Sequence, residues 1–72
     1  MSFQGLKGGD RIRFWMPNGM GIRGGRTVRE WKQRAAKVQP MLVFQDHVVV
    51  NLGGQHGTPY VVDSSNYLGR AA

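Results

Sequence analysis

Arg11, Arg13 and Trp15 occupy alternate positions of Asp10–Met16, DRIRFWM. On an extended chain this spacing sends two guanidiniums and an indole to one side, and Ile12, Phe14 and Met16 to the other. Guanidiniums neutralise phosphates, and an indole presents a π face on which an unpaired base can stack. The same residue types recur downstream. Arg23 and Arg26 lie beside a glycine-rich stretch, and Arg29, Trp31, Lys32, Arg34 and Lys37 follow. The sequence therefore proposes a nucleic-acid-binding set of Arg11, Arg13, Trp15, Arg23, Arg26, Arg29, Lys32 and Arg34. The competing reading of Trp15 is a cover over the end of the core or an oligomer contact, because large aromatics usually bury most of their area.

The charge distribution supports a polyanion-facing surface. The 72-residue chain carries a net +6, unevenly spread. Residues 1–37 hold nine cations against two acids, a net +7, whereas residues 38–72 hold one cation against two acids, a net −1. A basic half beside a near-neutral half favours nucleic acid or another acidic partner. The alternative is a solvated basic face that only keeps the protein soluble.

No spacing suggests catalysis. Asp10, Glu30, Asp46 and Asp63 stand singly, and Ser2, Ser64 and Ser65 have no base at a useful interval. Asp46 and His47 are neighbours, which a strand would point to opposite faces. His47 and His56 have no ligand spacing, and the absence of cysteine excludes disulfides and thiolate metal sites. The expectation is a protein that is not an enzyme, with no cofactor and no metal. Gly19, Gly21 and Gly24 spell G-x-G-x-x-G, but too little chain follows for a dinucleotide fold, and Asp46 lies too far along for its ribose carboxylate. That stretch reads as a mobile surface loop, or more weakly as a concavity of backbone N–H groups facing phosphate.

The elements that must position these residues are mainly strands. His47–Asp63, HVVVNLGGQHGTPYVVD, reads as a hairpin: two apolar runs around Gly53-Gly54-Gln55-His56-Gly57, with Pro59 at a strand start. Val49 and Val61 are taken as core positions of this hairpin, although a run of valines leaves its register open. Asp10–Met16 forms an earlier strand, which Pro17-Asn18-Gly19 ends. Met41–Phe44 is strand-like, and Gln45-Asp46 turns into His47–Leu52. Asp63–Ser65 turns again, with a 3₁₀ turn suited to DSSNYL before a last strand and a frayed Gly69–Ala72. Two elements compete for Thr27–Val38. As a helix, Thr27 caps, Glu30 closes a capping box, and Val28, Trp31, Ala35 and Val38 share a face. As a strand, no clean apolar face results. Local pattern favours the helix, whereas a small barrel requires a long bent second strand there.

A chain of this length makes one domain, with residues 1–9 as a flexible arm on which Phe3 and Leu6 tuck against the body, and 10–72 as the folded unit. Such a domain buries only about 60% of its unfolded surface, so oligomerisation is a natural support. No apolar run approaches the ~20 residues that span a bilayer, and MSFQGLKGG has no apolar core of a secretory signal. The expectation is a soluble, cytoplasmic protein with no membrane partner.

The order of features resembles the SH3-like small β-barrels, a group that includes KOW-type ribosomal and transcription-factor domains and bacterial accessory domains. Gly9-Asp10-Arg11-Ile12-Arg13 matches the opening strand. Val48-Val49-Val50 and Tyr60-Val61-Val62-Asp63 match the central hairpin, and Ser64-Ser65-Asn66-Tyr67-Leu68 matches the helical turn and close. The likeness spans roughly Gly9–Leu68 and implies a mainly β fold, a small SH3-like barrel of about five strands, with one short helix around 28–38 if the local pattern wins. Plasmid-borne type II dihydrofolate reductases are of like size and also open with Gly-Asp-Arg. Their Val-Gln-Ile-Tyr substrate segment has no counterpart in Pro59–Asp63, so that activity does not carry over. The functional expectation is a small basic module that binds nucleic acid weakly and without sequence preference. The rival is a structural or interaction protein, a phage or mobile-element accessory part, that forms a homo-oligomer or docks on an acidic protein partner.

Overall fold

The chain folds into five strands. The computed structural model describes residues 2–54 and 57–71. The strands are β1 (Arg11–Arg23), β2 (Arg26–Val43), β3 (His47–Asn51), β4 (Pro59–Asp63) and β5 (Tyr67–Arg70). They form one antiparallel sheet of order β4-β3-β2-β1-β5. The mainly β expectation holds, and no helix occurs among the described residues. The turn residues Gln55 and His56 lie outside the described residues.

The core is built from one face of this sheet. Ile12 and Phe14 of β1, Ala36 and Val38 of β2, Val48 and Val50 of β3, and Val62 of β4 are buried. Phe3 and Leu6 complete the cluster from the N-terminal segment, and the Phe3 N–H donates to the Gln45 carbonyl at 3.1 Å. Phe14 stacks on Tyr60 at 5.6 Å between ring centroids, and Phe3 meets Tyr67 edge-on at 5.1 Å. Val49 and Val61 face each other on the opposite side, with Val61 53% exposed. Their assignment to the core is corrected: Val48, Val50 and Val62 take that role.

The helix favoured for 28–38 is also corrected. β1 and β2 pair from Arg11↔Lys37 to Arg23↔Arg26, so Thr27–Val38 lies wholly within a strand. A long partner strand supplies backbone hydrogen bonds along the segment, and that tertiary pairing overrides local helix propensity. Gly24 and Gly25, both at positive φ (57° and 78°), close the hairpin between Arg23 and Arg26. Two consecutive positive φ values are the mark of a type I′ turn, whose twist matches paired strands.

Three smaller expectations change with it. Pro17-Asn18-Gly19 does not end β1 but forms a bulge, with the register shifting between Pro17 and Met20. Gly19–Gly25 is hairpin, not loop. Gly69 and Arg70 belong to β5, and the Ala71 N–H donates to the Arg11 carbonyl at 2.8 Å.

Beyond Pro17↔Trp31 the two strands of this hairpin pair only with each other. The radius of gyration, 13.6 Å, exceeds the ~11 Å expected for a compact chain of this length, as a projecting two-stranded ribbon requires. At the other end β2 bends through a wide bulge between Val38 and Val43, where exposed Met41 adopts a φ of 64°.

Candidate nucleic-acid interface

Residues directly opposite on antiparallel strands share a face. The β1–β2 register therefore sorts the cations. One face, turned away from Ile12 and Phe14, presents Arg11 opposite Lys37, Arg13 opposite Ala35, and Trp15 opposite Gln33. It continues through Pro17 opposite Trp31, Met20 opposite Arg29, and Ile22 opposite Thr27. This outer face unites Arg11, Arg13, Trp15 and Arg29 of the predicted set. It adds Lys37 and Trp31, which the set omitted. Trp31 was assigned to the core of a helix, but is 51% exposed, and Trp15 is 37% exposed.

The other face holds the rest of the set. Phe14 lies opposite Arg34, Met16 opposite Lys32, and Arg23 opposite Arg26. Arg34 and Lys32 thus point away from Arg11, Arg13 and Trp15. Arg34 is partly buried and donates from Nη2 to the Leu52 carbonyl, tying β2 to the loop after β3. Arg23 donates from Nε and Nη2 to the two carboxylate oxygens of Glu30, at 3.3 Å each. Gly21 makes this fork possible, because a Cβ there would overlap the Glu30 carboxylate.

The four acids are all engaged elsewhere. Asp10 accepts from Arg70 at 3.2 Å and from the Lys7 N–H at 2.9 Å. Asp46 meets His47 Nδ1 at 2.7 Å, since Asp46 lies in the turn before β3 and the strand rule that would separate the two does not apply. Asp63 accepts from the Ser65 hydroxyl and N–H. The His47 hydrogen bond holds Asp46 below the usual carboxylate range, and the Ser65 hydroxyl does the same for Asp63. Among the described residues, Arg11, Arg13, Arg29 and Lys37 have no carboxylate partner.

Like charges directly opposite one another, as at Arg11 and Lys37, destabilise a sheet. A face that carries such a pair with no counter-charge is suited to an external anion. The glycines do not form a phosphate-binding concavity, since Gly21 faces Glu30 and Gly24-Gly25 turn the ribbon. Sequence signals for the pairing existed in Gly24-Gly25, a dipeptide typical of two-residue hairpins. Comparison of the chain with protein-family models, with curated proteins and with solved structures gives no match.

Proposed function

We propose that this protein is a small basic binding module that takes nucleic acid on the outer face of its β1–β2 ribbon, weakly and without strong sequence preference. The observation that carries the reading is the row Arg11, Lys37, Arg13 and Arg29, without carboxylate partners among the described residues and interleaved with Trp15 and Trp31. Cations placed this way neutralise phosphates, and none of them is aimed from a rigid pocket that would read a base edge. A finer fold assignment goes with it. The strand order β4-β3-β2-β1-β5, with a long bent β2 shared between β1 and β3, supports an SH3-like small barrel. That architecture hosts many functions, so it adds fold and not activity.

Binding of a labelled oligonucleotide, followed by fluorescence anisotropy at three salt concentrations, tests the proposal. Affinity should fall by roughly 0.7 to 0.9 log units per phosphate contact for each tenfold rise in salt. No binding by folded protein at low salt would overturn it.

A second reading has its own observation. Met20, Ile22, Trp15 and Trp31 leave large apolar area exposed, and β4 and β5 are edge strands of the sheet. An assembly role would use these, with an apolar interface that is insensitive to salt. Light scattering after size exclusion reads this directly as mass.

A further inference from the structure

The outer face offers more than charge. Each ribbon strand carries Arg-x-Trp, as Arg13-Phe14-Trp15 on β1 and Arg29-Glu30-Trp31 on β2, running in opposite directions. The register brings the two indoles to neighbouring rungs of one face, Trp15 across from Gln33 and Trp31 across from Pro17. We infer that this face selects single-stranded over double-stranded nucleic acid, with Trp15 and Trp31 receiving an unpaired base between them. The inference rests on the nucleic-acid reading above and narrows it to one class of strand.

The dimensions suit it. Diagonal neighbours on one face of an antiparallel pair stand ~7–8 Å apart. Two stacking heights of ~3.4 Å come to nearly the same length. Rungs on one face repeat every ~6.7 Å along the strands. A polynucleotide backbone running along the ribbon therefore meets Arg11, Lys37 and Arg13 before the aromatic pair and Arg29 after it. The ring pairs among the described residues are Phe3–Tyr67, Phe14–Tyr60 and Phe44–His47, so neither indole is taken up by another aromatic.

A duplex hides its base faces and offers mainly phosphate to such a surface. It would engage the cations and leave both indoles in water. A second copy of the same face would bring Arg11, Arg13, Arg29 and Lys37 against their own kind, which opposes self-association there. An unpaired base supplies a flat apolar face and a phosphate together, which is what the alternation of indole and guanidinium complements.

The experiment compares labelled single-stranded and duplex oligonucleotides of equal length, with the parent protein, Trp15→Ala, Trp31→Ala and Trp31→Phe. The parent should bind the single strand more tightly and show quenched tryptophan emission. Each alanine variant should weaken single-strand binding roughly 5- to 150-fold, the worth of one base–aromatic stack. Duplex binding should change less than about twofold, because phosphate contacts alone remain. Trp31→Phe should recover most of the loss. Equal binding of both forms, unaffected by the alanine variants, would overturn this inference while leaving the nucleic-acid reading intact. No binding of either form at low salt would overturn both. Loss of a dimer mass in the alanine variants, seen by light scattering, would overturn the stacking role in favour of assembly.

Discussion

The two faces of the β1–β2 ribbon carry four cations each and use them differently. On the inner face Arg23 is forked by Glu30 and Arg34 is spent on the Leu52 carbonyl, while Lys32 and Arg26, also without a carboxylate partner among the described residues, have no indole beside them on that face. On the outer face Arg11, Arg13, Arg29 and Lys37 alternate with indoles and have no carboxylate partner among the described residues. If the proposed interface is right, total charge is a poor guide to where a polyanion docks. The informative quantity is charge left without a partner, on a face that also exposes aromatic surface. A basic composition alone would have treated all eight cations alike.

Substitutions that separate the faces should differ most in stability. Phe14→Ala, on the inner face, removes a fully buried ring that stacks on Tyr60, and should cost ~3–5 kcal/mol. For a domain this small that is most or all of its stability. Val48→Asp should likewise prevent folding, whereas Val61→Asp should melt close to the parent. Thermal melts followed by circular dichroism read all three. A Val61→Asp variant that unfolds would show that the register of the β3–β4 hairpin is misassigned.

A smaller effect, on binding, should come from the Glu30 fork. Glu30→Gln removes the counter-charge of Arg23 and frees a guanidinium near the ribbon tip. Because that guanidinium lies on the inner face, affinity should change little, and the salt dependence should steepen by much less than one contact, ~0.7 log units per tenfold salt. Gly21→Ala should act the same way, since the added Cβ displaces the end of a flexible side chain and costs little stability. A slope steeper by a full contact in both variants would mean that inner-face cations also take the polyanion.

The smallest effect concerns pH. Asp46 and Asp63 lie away from the ribbon and are held below the usual carboxylate range by His47 and Ser65. A depressed folded value stabilises the protein above the unfolded value, ~3.9, and that contribution is lost as pH falls through the folded one. Asp46 is exposed and Asp63 half-buried, and both carboxylates are reached by solvent, so the loss should be slight and confined to strongly acid solution. Asp46→Asn and Asp63→Asn should lower the neutral plateau of a pH–melting curve slightly and so flatten its acid limb. A large drop of the plateau would assign these carboxylates a larger structural role.

The parts of this fold that read directly from sequence are those with one wet face and one dry face. Asp10–Met16 alternates because Ile12 and Phe14 enter the core while Arg11 and Arg13 do not. The β3–β4 hairpin was legible from its glycines and Pro59, but Val48-Val49-Val50 is apolar on both sides, so nothing local set its register. Thr27–Val38 misled for the opposite reason. Its first part, Thr27–Trp31, runs along the projecting ribbon with no core to face, so its polar residues fall without strand alternation and their spacing imitates an amphipathic helix. The cost of that reading was functional. A helix would bury Trp31, and only the strand register returns it to the surface beside Trp15 and adds Lys37 to the same row. Arg34 and Lys32 belonged to the candidate set by charge, and only pairing with Phe14 and Met16 turned them to the other face.

The central claim, that one face of the ribbon takes the polyanion, is tested most directly by comparing two double variants. Arg13→Gln with Arg29→Gln strips the outer face, and Arg26→Gln with Lys32→Gln removes equal charge from the inner one. Each is titrated with a labelled single strand by anisotropy across a range of salt. The outer pair should lower the slope of log affinity against log salt by about two contacts, ~1.4, and the inner pair should leave it nearly unchanged. Equal losses from both pairs would contradict the account, because binding would then follow total charge and not the face that bears it.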